Sequence, residues 1–177
     1  PDIGLTIALG WAVFLLYENS ANWRKPILAL FLLSLTGHSY AVHQRNEIWN
    51  SNETLWHDAA MKGPNNGRAQ MNYGLVLMEQ AKYDEAEPYF KRALELLPFW
   101  PYSHINMAIL KGATGNDALA IKHFEAALQY GANNPEPYYY YARYCLQQGR
   151  PDKAITLLEQ GHQVSPKHVN INQLLER

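Results

Sequence analysis

Cysteine is almost absent from this 177-residue chain: Cys145 stands alone. One thiol excludes an internal disulfide framework and a cysteine zinc site, and it leaves the redox compartment unread. An excess of charge is absent too. Fifteen Lys and Arg against sixteen Asp and Glu give a formal net charge of −1, so nothing here is built electrostatically for nucleic acid. There is no G-x-S-x-G elbow, Walker loop, dinucleotide fingerprint or H-E-x-x-H. The seven histidines (His38, His43, His57, His104, His123, His162 and His168) include no pair four residues apart. No catalytic residue, metal ligand or cofactor is therefore expected. Initiator Met is missing as well, and a chain starting at Pro1 reads as a processed form or a piece of a longer one.

Charge is also missing locally. The segments 3–17, "IGLTIALGWAVFLLY", and 26–44, "PILALFLLSLTGHSYAVHQ", carry none and are apolar on every face. A helix apolar all round lies in lipid or in a large core, and a full span takes about 20 residues. Pro26 fits a first helical turn. Between the segments lie Trp23, Arg24 and Lys25, an interfacial aromatic beside two cations that should face the cytoplasm. A membrane hairpin is expected; the alternative is a pair of buried helices. Acidic Asp2 and the second apolar segment argue against a signal peptide. His38, inside the second segment, is expected to make a helix-packing hydrogen bond.

Beyond Arg45 the composition changes. Three basic residues (Arg24, Lys25, Arg45) and two acidic ones (Asp2, Glu18) precede Asn46, leaving 12 and 14 in the rest. That ordinarily solvated region repeats with a period of about 34 residues. Gly74, Ala108 and Ala142 share the register, as do Ala86, Ala120 and Ala154. Phe90, Phe124 and Leu158 follow it, then Ala93, Ala127 and Gly161, and finally Pro98, Ala132 and Pro166. Small residues allow close backbone approach and the large ones fill the space between helices. Turns are expected at 80–83, 115–116 and 149–151, where Gly and Pro end helices. Trp56, Ala59 and Pro64 extend the register upstream. Asn50 with Glu53 forms a candidate capping box for that helix.

A small residue in the first helix, A-x3-F in the second and a closing Pro resemble the tetratricopeptide repeat family. The resemblance implies an all-α solenoid of antiparallel helix pairs, here preceded by a transmembrane helical hairpin. The expected organisation is 1–45 with two membrane helices (3–17 and 26–44), a half-repeat at 46–66, repeats at 67–100, 101–134 and 135–168, and a capping helix begun at 169–177. Arg45, Asn46, Trp49, Leu55 and Trp56 lie where the last span hands over to the first repeat, with no flexible spacer. With the "PDIG" start, they resemble the C-terminal end of polytopic membrane proteins similar to type C glycosyltransferases, the transmembrane-and-tetratricopeptide O-mannosyltransferases. The carboxylate that resemblance implies for catalysis would lie upstream of Pro1, and Asp2 does not stand in for it.

Resemblance to the family also places a partner groove on the concave face. Its lining would be Arg68, Met71, Leu75 and Met78, then Tyr102, Ile105 and Ile109, then Tyr139, Arg143 and Gln147. Asn72 and Asn106 would hold a peptide backbone, with Tyr140 in the third such slot. Helical geometry sends Tyr138 and Tyr141 inward and Tyr139 outward. The family's chaperone-type carboxylate clamp is missing, since Met71, Leu75, Asn106, Glu136 and Tyr140 hold its positions. Cys145 is expected to be an inert core thiol. Asn52–Glu53–Thr54 is a glycosylation sequon, relevant only in a eukaryotic lumen.

The expected function is a non-catalytic scaffold. It would be anchored in the membrane by its N-terminal hairpin, with the repeats in the periplasm or an organelle lumen. There they would hold a protein or peptide, or associate with other membrane-assembly proteins. An acceptor-presenting module of an upstream glycosyltransferase and a soluble adaptor remain alternatives.

Overall fold

The computed structural model describes residues 3–19 and 21–176, and every regular element among them is a helix. The chain divides into two compact units, residues 1–50 and 51–177.

The first unit holds α1 (Ile3–Asn19) and α2 (Ala21–Ile48). Pro26 does not open the second helix. It lies inside α2, at the cost of one backbone hydrogen bond. The stretch 21–25, expected as a loop, is therefore helical. Arg24 donates from Nε to the Tyr17 carbonyl (3.0 Å) and sits over the Tyr17 ring. Among the described side chains nearly every apolar one is uncovered, Trp11, Leu30, Phe31 and Leu33 included. The stretch Ala21–Asn46 is long and apolar enough to cross a membrane, and none of it is buried. α1 has 17 residues, about 25 Å at 1.5 Å per residue, which is short of the ~30 Å hydrocarbon core. His38 Nδ1 lies 2.9 Å from the carbonyl of Ser34 in its own helix, so its bond is local rather than between helices.

The second unit is a run of helix pairs: α3 (Asn52–Lys62), α4 (Gly67–Glu79), α5 (Tyr83–Leu96), α6 (Pro101–Ala113), α7 (Asp117–Tyr130), α8 (Pro135–Gln147), α9 (Pro151–Val164) and α10 (Val169–Leu175). Local chemistry sets these limits. Asn66, Asn116 and Asn134 accept backbone N–H bonds at the starts of α4, α7 and α8. Pro101, Pro135 and Pro151 occupy first-turn positions. The cap of α3 is Ser51, which accepts from the Thr54 amide at 3.1 Å; Asn50 is one residue too early. Glu53 instead accepts from Gln80 Nε2 (2.9 Å).

Each first helix closes identically. The amides of Lys82, Asn116 and Arg150 donate to the carbonyls of Leu77, Lys111 and Cys145 at 2.8–2.9 Å, a six-to-one closure. The residue before each donor has positive φ: Ala81 at 59°, Gly115 at 78° and Gly149 at 69°. These three positions share one place in the repeat, and only the first lacks glycine.

The register residues are the core. Ala86, Ala120, Ala154, Phe90, Phe124, Ala93 and Ala127 are fully buried, with Leu158 nearly so. A Cβ at Gly74 would stand 2.7 Å from Phe90 Cε1, so glycine there permits the close approach. Phe124 stacks on Tyr141 with centroids 4.9 Å apart. Ile171 of α10 is buried against the last pair.

Candidate functional site

Neighbouring first helices touch, α4 with α6 and α6 with α8, so their outer residues share one face. Arg68, Arg143 and Gln147 are exposed there, and Asn72, Leu75, Met78, Tyr102, Ile109 and Tyr139 are half-buried. Three of the residues assigned to the groove lie beneath it instead. Met71 (7% exposed), Ile105 (1%) and Asn106 (7%) are buried. Met71 belongs to the α4–α5–α6 core. Met71, Ile105 and Tyr139 hold one register position, and their burial follows from what stacks next. α6 stacks on α4 and α8 on α6, whereas the described residues of α10 leave a cavity beside Tyr139. Tyr139 is left half-open.

Arg143 lies over the Tyr139 ring (5.6 Å) and Arg68 over Trp100 (5.2 Å); neither guanidinium has a carboxylate partner among the described residues. Tyr139 packs edge-on against Tyr140, at 5.2 Å. Burial and the nearby Glu136 and Tyr139 raise the Tyr140 phenol above its ordinary pKa. Glu136 itself is held by His168 Nε2 at 3.1 Å.

Between α6 and α8 lies a cavity of about 350 Å³ whose walls include Ile109, Gly112, Tyr140, Arg143, Tyr144 and Gln147. A second, of about 300 Å³, is formed by Tyr139 and Arg143 with Asn170, Gln173 and Leu174 of α10. Gly112 has a legible signal, because it lies one repeat after Met78. Asn170 and Gln173 have none, since they enter only through the placement of α10.

Beneath the first cavity Tyr144 donates to Asp117 Oδ1, and Arg150 Nη2 holds Oδ2 at 2.6 Å. These bonds, Tyr144 first, lower the Asp117 pKa. Burial and the carboxylate push Tyr144 up to about 12. Tyr141 and Cys145 are buried, and burial raises the Cys145 thiol. Tyr138, half-buried, donates to the Ala132 carbonyl at 3.1 Å. Asn72 and Asn106, one repeat apart, make no side-chain hydrogen bond among the described residues. Neither amide is a buried orphan: among the described residues the buried side-chain polar atom without a partner is Ser103 Oγ. Among the described residues no three of His, Cys, Asp and Glu converge to hold a metal.

Helix pairs repeating at a fixed period around small buried positions are what family comparison also finds. The tetratricopeptide repeat family matches residues 65–130 and again 113–177. Residues 65–177 form a tetratricopeptide repeat array. The chain is 25% identical over 173 residues to the Drosophila melanogaster protein O-mannosyl-transferase Tmtc3, covering 97% of this chain and 16% of that one. With Tmtc2 of the same species it shares 29% over 106 residues, 60% of this chain and 11% of the relative. The chain thus spans a small part of these relatives. Among solved structures, YrrB, a tetratricopeptide repeat protein with an unusual peptide-binding site, superimposes with a TM-score of 0.60 at 20% identity, covering 93% of this chain and 89% of YrrB. The tetratricopeptide repeat fold is that of a protein–protein interaction scaffold, and the long apolar helix α2 points to membrane association.

Proposed function

We propose that the array holds an extended polypeptide across the first-helix face of α4, α6 and α8. The observation that carries this reading is the row of half-open side chains, among which the Asn72 amide makes no side-chain hydrogen bond with the described residues and the cations of Arg68 and Arg143 have no carboxylate partner among them. An amide offers one acceptor and two donors, the complement of a peptide backbone. Tyr102, Tyr139 and Ile109 then supply apolar and aromatic contacts to alternate side chains of the partner.

In this reading α1 and α2 anchor the chain, and the repeats lie on the side opposite Arg24 and Lys25, in a periplasm or lumen. Alignment with Tmtc3 over nearly the whole chain, N-terminal helices included, favours a second role. The array then presents acceptor polypeptide to a glycosyltransferase domain elsewhere in a longer protein.

Photocrosslinking from position 102 in sealed membranes tests the groove. Capture of a polypeptide that Asn72→Ala/Asn106→Ala and Tyr139→Ala/Arg143→Ala both reduce is the expected result. Undiminished capture by both variants would exclude this face. Protease protection tests the side: digestion from the cytoplasmic face contradicts the proposed orientation.

A further inference from the structure

Outside that face, the second repeat brings two histidines together across its helix pair. His104 of α6 and His123 of α7 point Nδ1 at Nδ1, 3.4 Å apart. Their ring centroids are 5.6 Å apart, so the nitrogens are the near edges and the rings splay away from a common point.

The tautomer of a neutral His104 ring is set by its other nitrogen. Nε2 lies 2.9 Å from the Pro98 carbonyl, which can only accept, so the ring proton sits on Nε2 and Nδ1 carries a lone pair. The third repeat supports this assignment: Tyr138, in the register of His104, donates to Ala132, in the register of Pro98. A backbone carbonyl on the remote nitrogen is the usual support of a metal-bound imidazole. His123 is half-buried on α7, and the nearby Lys111 is paired with Glu87 at 2.8 Å.

Distance separates a ligand pair from an ordinary hydrogen bond. A good N–H···O bond spans about 2.9–3.0 Å, and the 3.4 Å here is long even for nitrogen accepting. Two nitrogens bound at about 2.05 Å to one tetrahedral ion stand about 3.3 Å apart. We propose that His104 and His123 bind one divalent d-block cation of the zinc and copper class through their Nδ1 atoms, clipping α6 to α7, with water in the remaining positions. Binding moves the His123 proton to Nε2 and releases none. Imidazole suits these ions. Equivalent positions in the flanking repeats hold Gln70 with Tyr89 and Tyr138 with Leu157, so only the second repeat carries the pair.

Those neighbours supply the test variants. His104→Tyr retains a donor for Pro98, His123→Leu installs the third repeat's residue, and His162→Gln serves as control. The full, tag-free chain in detergent micelles, stripped with chelator, is titrated with zinc while thermal unfolding is followed, and with copper while the visible absorption is followed. Expected are one ion per chain, a zinc-dependent rise in Tm, and an imidazole–copper band. His104→Tyr and His123→Leu should each weaken binding at least about tenfold, while His162→Gln leaves it unchanged. Zinc affinity unaltered by either variant overturns the proposal, as does no saturable binding below about 1 mM. The pair is then a plain hydrogen bond. Should either variant unfold, His123→Tyr, the first repeat's residue, replaces it, and histidine ring nitrogen shifts on zinc addition to the parent chain decide independently.

Discussion

Gly74 and Phe90 offer a direct measurement of why a small residue recurs once in every repeat. A methyl group at Gly74 would meet Phe90 Cε1 at 2.7 Å and Cδ1 at 2.9 Å, well inside van der Waals contact. Phe90 is fully buried, so its ring has little room to retreat. Gly74→Ala should gain about 1 kcal/mol of helix propensity and lose about 1–3 kcal/mol to overpacking. The expected net effect is a destabilisation of about 1 kcal/mol. Phe90→Leu removes the clash at its own cost of a cavity. In that background Gly74→Ala should recover its propensity gain and stabilise by about 1 kcal/mol, a coupling of about 2 kcal/mol between the sites. Urea unfolding of residues 51–177 and of the three variants, monitored by helical circular dichroism, gives the four free energies. Repeat two already combines Ala108 with Phe124, and repeat three Ala142 with Leu158, so the same contact has several solutions. If Gly74→Ala stabilises by the same amount in both backgrounds, ring packing does not dictate the small residue.

Ala81→Gly should stabilise the array by about 0.5–1 kcal/mol in thermal unfolding, because a left-handed non-glycine residue costs about 1–2 kcal/mol, less the entropy glycine loses on folding. Asn72→Ala should leave stability unchanged or slightly raised while weakening partner capture, since the amide it removes makes no side-chain hydrogen bond among the described residues; a large loss of Tm would contradict this. Acid should weaken the array in two windows. His123, held down to about 4, contributes stability that is full above the unfolded value near 6.5 and lost as pH falls towards 4, and His123→Leu should remove that slope. Asp117, lowered by Tyr144 and Arg150, contributes stability present above about pH 4 and lost below it, so Asp117→Asn should flatten the acid limb of a pH–Tm profile.

Much of the array is legible in the residues because each repeat solves the same packing problem with neighbours a fixed distance away. Ala86, Phe90 and Ala93 recur because the helices they separate recur. Local signals are ambiguous where two candidates adjoin. Asn50 and Ser51 both suit a helix start, and only Ser51 has its hydroxyl on the third amide onward. Pro26 suits a first turn, yet α2 already begins at Ala21, which single-residue preferences do not reveal. The candidate face was legible by position and not by exposure. Met71 and Ile105 carry the right register and are covered, while Tyr139 at the same register is half-open, because burial there depends on the helix that stacks next. His104 and His123, on separate helices, match no ligand spacing; only the antiparallel packing of α6 on α7 brings them together.

The sequence alone determined the period, the helix pairs, the small and large core positions and the uncharged N-terminal helices. All of these follow from local chemistry repeated along the chain. Tertiary structure decided which groove positions reach the surface, that Asn72 and Asn106 make no side-chain hydrogen bond among the described residues, and that two imidazoles share one point. Those properties belong to spaces between helices. They depend on the distance and angle of each helix to the next, which composition and spacing along one strand of sequence do not encode.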